Sequence, residues 1–212
     1  METGYHLDDD SPRVLRSDPA GNAGRIAPMT SALPFIHETA LVEPGAFVGA
    51  GTRIWHHAHV RTGASLGSDC TLGKNVFVDE TVKIGNRVKI QNNVSLYRGV
   101  ELDDEVFVGP HAVFTNDRLP RAISPDWTIL PTRVRQGASI GANATVVCGN
   151  EIGEWAMIGA GAVVTRPVDG HRLVVGVPAK PSGWVCWCGS VVSRSSVRPD
   201  LLYCGSCSYP VT

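Results

Sequence analysis

The sequence predicts an all-β chain wound into a parallel β-helix of six-residue sides, with a small zinc-ribbon-like tail at its C-terminal end. Three observations predict it. An aliphatic or aromatic residue opens every sixth position at Ile36, Val42, Val48, Ile54, Val60, Leu66, Leu72, Val78, Ile84, Ile90, Leu96, Leu102, Val108 and Phe114, and the beat resumes at Val134, Ile140, Val146, Ile152, Ile158 and Val164. The fifth place of a block is small, as at Ala40, Ala46, Ala58, Ala64, Cys70, Val76, Val82, Val88, Val94, Val100, Val106 and Ala112. The stretch from Ile84 to Phe107 shows the pattern without a gap: IGNRVK, IQNNVS, LYRGVE, LDDEVF. A period of six fits neither an α-helix nor a lone alternating strand. It fits a triangular prism with three sides per coil, openers and fifth places turned inward and polar residues at the corners. Coils stacked at strand spacing make a prism about 33 Å long.

The length of 212 residues suits one domain with an appendage. A net charge of −1 gives no global field for nucleic acid or a membrane surface. No apolar run reaches membrane-spanning length, and no basic segment followed by an apolar one opens the chain as a secretory leader would. The expected compartment is the cytoplasm, where unpaired thiols persist.

Residues 1–33 lack periodicity and read as a disordered tail, carrying Asp8-Asp9-Asp10, Pro12, Pro19 and Pro28. Met29 stands just before the repeat and is a second candidate start of translation. Residues 34–168 are the prism. Because three blocks close one coil, residues 18 apart stack on one edge. His57, Asn75, Asn93 and His111 form one such column, with His56, Lys74, Asn92 and Pro110 beside it. Asparagine at a coil corner has a structural explanation, since it tolerates the left-handed conformation and bonds its own backbone. The next edge carries Thr62, Glu80, Arg98 and Asn116.

The beat breaks after Asn116. Residues 117–133 form an excursion, DRLPRAISPDWTILPTR, and long loops in regular scaffolds either build sites or build subunit contacts. A cleft where the excursion leaves Asn116 is the first site expectation. The coils from 134 have Gly and Ala corners, which let an extended, amide-bearing ligand such as a pantetheine arm lie close to the backbone, or merely allow tight corners. Residues 169–185 read as a connector, flanked by Arg166 and Lys180 as donors for phosphate or as solvated cations. The tail, 186–212, holds Cys186, Cys188, Cys204 and Cys207 in two close pairs. Four sulfurs so spaced are the layout of a structural Zn²⁺ site, and a tail this short needs a staple to fold. Cys70 falls at an inward fifth place and reads as core.

The hexapeptide pattern resembles the left-handed β-helix acyltransferases, and the handedness is an expectation from that resemblance. The segments GTRIWHHAHV, KIQNNVSLYRGVELDDEVFVGPHAVFTND, RQGASIGANATVVCG, IGAGAVVT and LVVGVPAKPSGWVCWCG resemble one branch, the nucleotide-sugar N-acetyltransferases that act on the 3-amino group of UDP-2-acetamido-3-amino-2,3-dideoxy-glucuronate. The resemblance implies a homotrimer with sites between prisms, acetyl-CoA along the later coils and a nucleotide-linked amino sugar nearer the earlier ones. It implies Asn116 beside the reacting amine, Asn92, Asn93 and His56 in substrate binding, and Gly141, Ala142, Gly159, Ala160 and Lys180 in contact with CoA. Arg98 stands where the branch often has an acid; it is a candidate substrate-binding residue that could pair with a sugar carboxylate or a diphosphate or alter sugar choice, so the sugar, and the choice between UDP and dTDP, stay open. His59 and His111 are the candidate bases by residue type, with solvent as the other proton acceptor. Two further readings remain: a γ-carbonic-anhydrase-like zinc enzyme using His56, His57, His59 and His111, and a non-catalytic scaffold.

Overall fold

The computed structural model describes residues 33–124, 128–198, 202–207 and 210–211. Met29 and the rest of the N-terminal tail up to residue 32 lie outside these. The described chain is a left-handed parallel β-helix with three faces. The first face stacks Phe35–Ile36, Arg53–Ile54, Thr71–Leu72, Lys89–Ile90, Phe107–Val108, Ser139–Ile140 and Met157–Ile158. The second stacks Leu41–Val42, His59–Val60, Phe77–Val78, Ser95–Leu96, Val113–Phe114, Thr145–Val146 and Val163–Val164. The third runs from Phe47–Val48 through Ser65–Leu66, Lys83–Ile84, Val100–Leu102 and Thr132–Val134 to Glu151–Ile152. No helix among the described residues is long and apolar enough to cross a membrane.

The repeat forms strands of two residues because each side of the prism has only an outward residue and an inward opener before the corner. From Ile54 to Val164 every opener is buried, as are Ala58, Cys70, Val94 and Ala144 at fifth places. Burying an aliphatic side chain of this kind contributes about 1.5–3 kcal/mol. Ile36, Val42 and Val48 of the first coil are less covered, since no coil among the described residues lies beneath them.

Corners turn through the fourth place of the block, which takes positive φ. His57, Asn75, Asn93, His111 and Asn143 all lie at φ 56–61° on the edge between the first and second faces. An L-residue there costs roughly 1–2 kcal/mol. The cost is offset by a backbone bond to the coil before: Asn75 N–H to His56 O at 3.0 Å, Asn93 N–H to Lys74 O at 2.9 Å, His111 N–H to Asn92 O at 3.1 Å. The expected column is therefore present, on one edge.

Strand partners are 18 residues apart before the excursion (Lys89 with Phe107) and 32 apart across it (Phe107 with Ser139), so it inserts 14 residues into one coil. It ends earlier than the sequence suggests. Thr132–Val134 already pairs with Val100–Leu102, so the excursion closes at Pro131. Residues 169–185, read as a connector, carry two strands. Arg172–Val175 joins the first face in parallel beside Met157–Ile158, and Lys180–Val185 turns back antiparallel against it. Val191–Ser193 adds to that strand and leads into the cysteine tail, where Leu202–Tyr203 pairs with Pro210–Val211.

Candidate active site and metal centre

The second edge, between the second and third faces, is built around Asn116. Phe114, fully buried, anchors the strand before it, and Thr115 Oγ1 accepts the Cys148 N–H at 3.0 Å from the next coil. Asn116 is half-buried. Its Nδ2 donates to Arg98 O at 3.4 Å, and its carbonyl accepts the Leu130 N–H at 3.1 Å. The excursion is thus folded back onto its own exit, with Asp117 bridging to Ile129. Gly99 makes room for it: at φ +96° a Cβ there would lie 2.6 Å from Ile129 Cγ2.

Below Asn116 runs a chain of charges. Arg98 Nη2 bonds Glu80 Oε1 at 2.7 Å, Arg61 bonds Asp79 at 2.6 Å and lies 3.6 Å from Glu80, and His59 Nε2 meets Glu43 Oε1 at 2.7 Å. Burial pushes the Asp79 carboxyl up, but the Glu80 N–H, the Arg61 guanidinium and the Arg98 N–H outweigh it and hold Asp79 below the usual carboxylate range. The Thr62 N–H and the His59 ring bring Glu43 down to about 2. Arg98 Nε is buried and finds no acceptor among the described residues. Arg61 with Asp79 and Arg98 with Glu80 are 18 apart and follow the stacking arithmetic that gave the columns, whereas Glu43 and His59 are 16 apart and do not.

The first edge carries the other candidates. His56 is exposed and stacks on His37 with ring centroids 3.6 Å apart. Asn92 Oδ1 caps the Lys74 N–H at 2.9 Å, Asn75 Nδ2 donates to Asn93 Oδ1 at 2.9 Å, and Asn93 Nδ2 faces His111 Nε2 at 3.3 Å. Asn92 and Asn93 thus have corner-building roles in the prism itself.

Further along this edge the side chains shrink to Ala142 and Ala160. Their N–H groups donate to nothing among the described residues, in contrast to the capped Lys74 N–H on the same edge. Gly141 and Gly159 sit one residue before them and answer a different demand. A Cβ at 141 would lie 2.5 Å from Ala160 N and 2.7 Å from Gly159 C, so that glycine is required by the spacing of coils.

A single protomer does not bring all these residues together. His111 and Asn116 stand on different edges, at opposite ends of Val113–Phe114, separated by up to roughly 17 Å of extended chain. His59 pairs through Phe77 and Ser95 to Val113, which places it three coils, about 14 Å, from the Asn116 level. No three of His56, His57, His59 and His111 converge as metal ligands among the described residues.

At the end of the prism a cleft of about 540 Å³ opens between Thr165–Asp169, the Arg172 and Lys180 strands and the segment Ser196–Arg198. Lys180 was read from the sequence, whereas Arg172, Trp184 and Arg198 were not, because this part of the chain leaves the six-residue beat. Beyond it Cys186, Cys188, Cys204 and Cys207 place all four sulfurs within 4.8 Å of one another. Cys186 Sγ lies 3.4 Å from Cys207 Sγ, and Cys188 Sγ 3.6 Å from Cys204 Sγ. A tetrahedral Zn²⁺ with bonds of about 2.3 Å needs sulfurs about 3.8 Å apart, so the set fits the ion. The Cys186 carbonyl accepts the Gly189 N–H at 2.8 Å, a turn that lets a one-residue spacing present two sulfurs to one point.

The family described as bacterial transferase hexapeptide (six repeats) matches residues 81–116, and the hexapeptide repeat of succinyl-transferase matches 42–80, 63–98 and 131–166. The chain is 45% identical over 156 residues to the dTDP-3-amino-3,6-dideoxy-alpha-D-galactopyranose 3-N-acetyltransferase of Aneurinibacillus thermoaerophilus, covering 74% of this chain and 81% of that one. It is 37% identical over 97 residues to the serine acetyltransferase of Escherichia coli K12, covering 41% of this chain and 34% of that one. Among solved structures it is similar to PerB from Caulobacter crescentus in complex with CoA and GDP-perosamine, at 24% identity and a TM-score of 0.41, over 72% of this chain and 58% of that one. The buried six-residue beat, the three parallel faces and the extent of the first relative place this chain in the hexapeptide-repeat acyltransferases, among the nucleotide-sugar N-acetyltransferases.

Proposed function

We propose that this chain transfers an acetyl group from acetyl-CoA to the amine of a nucleotide-linked amino sugar. The observation that carries the reading is the likeness, over most of both chains, to an enzyme whose acceptor is a dTDP-linked 3-amino sugar. The molecule's own geometry agrees with it. Asn116 offers a carboxamide at an edge where the excursion folds back, and Ala142 and Ala160 offer N–H groups that donate to nothing among the described residues. The acceptor class carried over from that relative is a 3-amino sugar. Arg98, the cation nearest Asn116 in its column, is already held by Glu80.

The reacting groups lie on different edges, so a complete site takes the Asn116 edge from one protomer and the small-residue edge from its neighbour. A homotrimer closes such sites around a three-fold axis, and its mass in solution by light scattering tests this. Asn116 has no basicity; it orients the neutral amine toward the thioester carbon. The thioester oxygen gains charge as the C–N bond forms and is met by backbone N–H donors. As the tetrahedral intermediate collapses the C–S bond breaks and CoA leaves as its thiol, with the proton given up by the nitrogen passing through His111 or solvent. Zn²⁺ held by the four cysteines would have no open position, so its part is structural. Free thiols at Cys70 and Cys148 suit a reducing cytoplasm.

The test is release of CoA thiol from acetyl-CoA with dTDP- and UDP-linked 3-amino sugars, with serine as a control acceptor. Turnover with a nucleotide-linked 3-amino sugar is expected. Turnover with serine alone would remove the sugar assignment.

A further inference from the structure

We propose that the cleft at the end of the prism is a phosphate-binding subsite whose outer wall is the cysteine tail, so that zinc in the tail and a phosphorylated ligand in the cleft strengthen each other's binding. The proposal rests on the acyl-CoA and nucleotide-sugar reading above and adds a coupling to it.

The first ground is charge. Arg166, Arg172, Lys180 and Arg198 line the cleft, with Asp169 as the one acid. None of these five takes part in an ion pair among the described residues. Three net positive charges thus face a space of about 540 Å³, the size of a small-molecule site and larger than one phosphate needs. Arg166 stacks two coils beyond Asn116 on the same edge, about 10 Å along the axis, within the span of one substrate.

The second ground is how the walls are held. Arg166 and Lys180 belong to the prism end and its returning strand. The opposite wall is the segment Ser196–Arg198. Arg172 Nη2 donates to Ser196 O at 2.8 Å and Trp184 Nε1 donates to Ser195 O at 3.1 Å. The Arg172 guanidinium lies 4.2 Å over the Trp184 ring, and that of Arg198 5.9 Å from it. The same segment belongs to the loop that leaves the returning strand at Cys186 and Cys188 and comes back at Cys204 and Cys207. A metal on the four sulfurs closes that loop at both ends and pre-organises Arg198 beside the cleft. An anion that binds Arg198 then holds the loop in the shape that the metal requires. Coupling of this kind is reciprocal in binding free energy.

The shared chemistry is a phosphate group, from CoA or from the nucleotide of the sugar donor. The test uses the full-length, zinc-loaded protein. Affinities for CoA, dephospho-CoA and dTDP are measured by calorimetry in the wild type, Arg198→Ala and Arg194→Ala. Zinc affinity is measured by competition with a chelating dye, with and without each ligand. Arg198→Ala is expected to keep one zinc per chain and to weaken one ligand about tenfold, as loss of a charged hydrogen bond does. That ligand is expected to raise zinc affinity severalfold in the wild type and to lose this effect in Arg198→Ala. Loss with CoA but not dephospho-CoA assigns the 3′-phosphate, and loss with dTDP assigns the sugar nucleotide. Arg194, which bonds Ser182 outside the cleft, removes the same charge and is expected to change nothing. Unchanged affinities in Arg198→Ala, equal losses in Arg194→Ala, or zinc affinity indifferent to ligand would overturn the coupling while leaving the acyltransferase reading intact. Failure of the wild type to bind either CoA or dTDP would sink both.

Discussion

Gly141 separates two explanations of one residue, contact with CoA and the spacing of coils, and Gly141→Ala tells them apart. The added Cβ would meet Ala160 N at 2.5 Å, Gly159 C at 2.7 Å and Ile158 O at 2.7 Å, all backbone atoms of the next coil. Ordinary contact begins at 3.4 Å, so the two coils must part by up to 0.9 Å at this point. The Gly141 N–H bond to Ile158 O, 2.8 Å long, would then stretch beyond hydrogen-bond range. Overpacking costs about 1–3 kcal/mol and the lost bond about 1 kcal/mol more, so a loss of about 2–4 kcal/mol is expected. For a chain of this size that lowers Tm by on the order of 10 °C. Thermal unfolding by circular dichroism reads the stability, and calorimetry of CoA below the transition reads the contact. A lower Tm with CoA affinity kept within about twofold supports spacing, since 1.4 kcal/mol would be needed for even a tenfold change. An unchanged Tm with weakened CoA binding would refute the spacing argument and return Gly141 to the ligand.

Three other outcomes follow from the site. Asn116→Ala is expected to lower turnover about 100-fold with the oligomer intact, the scale of a misplaced reactant, and unaltered thiol release would take Asn116 out of the chemistry. Ala160→Leu, at an exposed corner, is expected to leave Tm unchanged and to raise KM for acetyl-CoA at least tenfold by covering a free N–H; an unchanged KM would place the pantetheine arm elsewhere. Glu43 sits below its ordinary value of 4.5, at about 2. The unfolded chain therefore binds the extra proton, so the stabilisation from Glu43 is complete above about pH 4.5 and is lost as pH falls toward 2. Acid unfolding of the wild type should carry this dependence and Glu43→Gln should lack it; identical acid profiles would show that the Thr62 and His59 bonds do not persist in solution.

The core was legible in the sequence because one inward opener and one small fifth place per side are all that a two-residue strand can bury. Ile54, Ala58, Val94 and Val108 could be placed from number alone. The left-handed corners were legible for the same reason, and so was the stacking of Asn75 on Asn93. What failed to show was the strand that closes the prism off the six-residue beat. Arg172–Val175 lies 16 residues beyond its partners Met157 and Ile158, so Leu173 and Val174 fall off the beat although they close the first face. The cationic cleft hangs on that strand: Arg166 and Lys180 were read from the sequence as phosphate donors, but Arg172 and Arg198 were not. The site was harder for a deeper reason. Stacking arithmetic reports which residues share an edge, and it assigns His111 and Asn116 to two. A single prism keeps those edges apart across the second face, because inward packing of Phe114 forces the residues before and after it to opposite corners. In the proposed homotrimer a second copy of the chain joins them, and no pattern along one chain encodes that contact. The outward residues Tyr97, Phe107 and Val113 remain exposed on an isolated protomer at 41%, 37% and 46%. A neighbour that buried Tyr97 and Val113 on the second face would complete the site from the same surface that the repeat leaves uncovered.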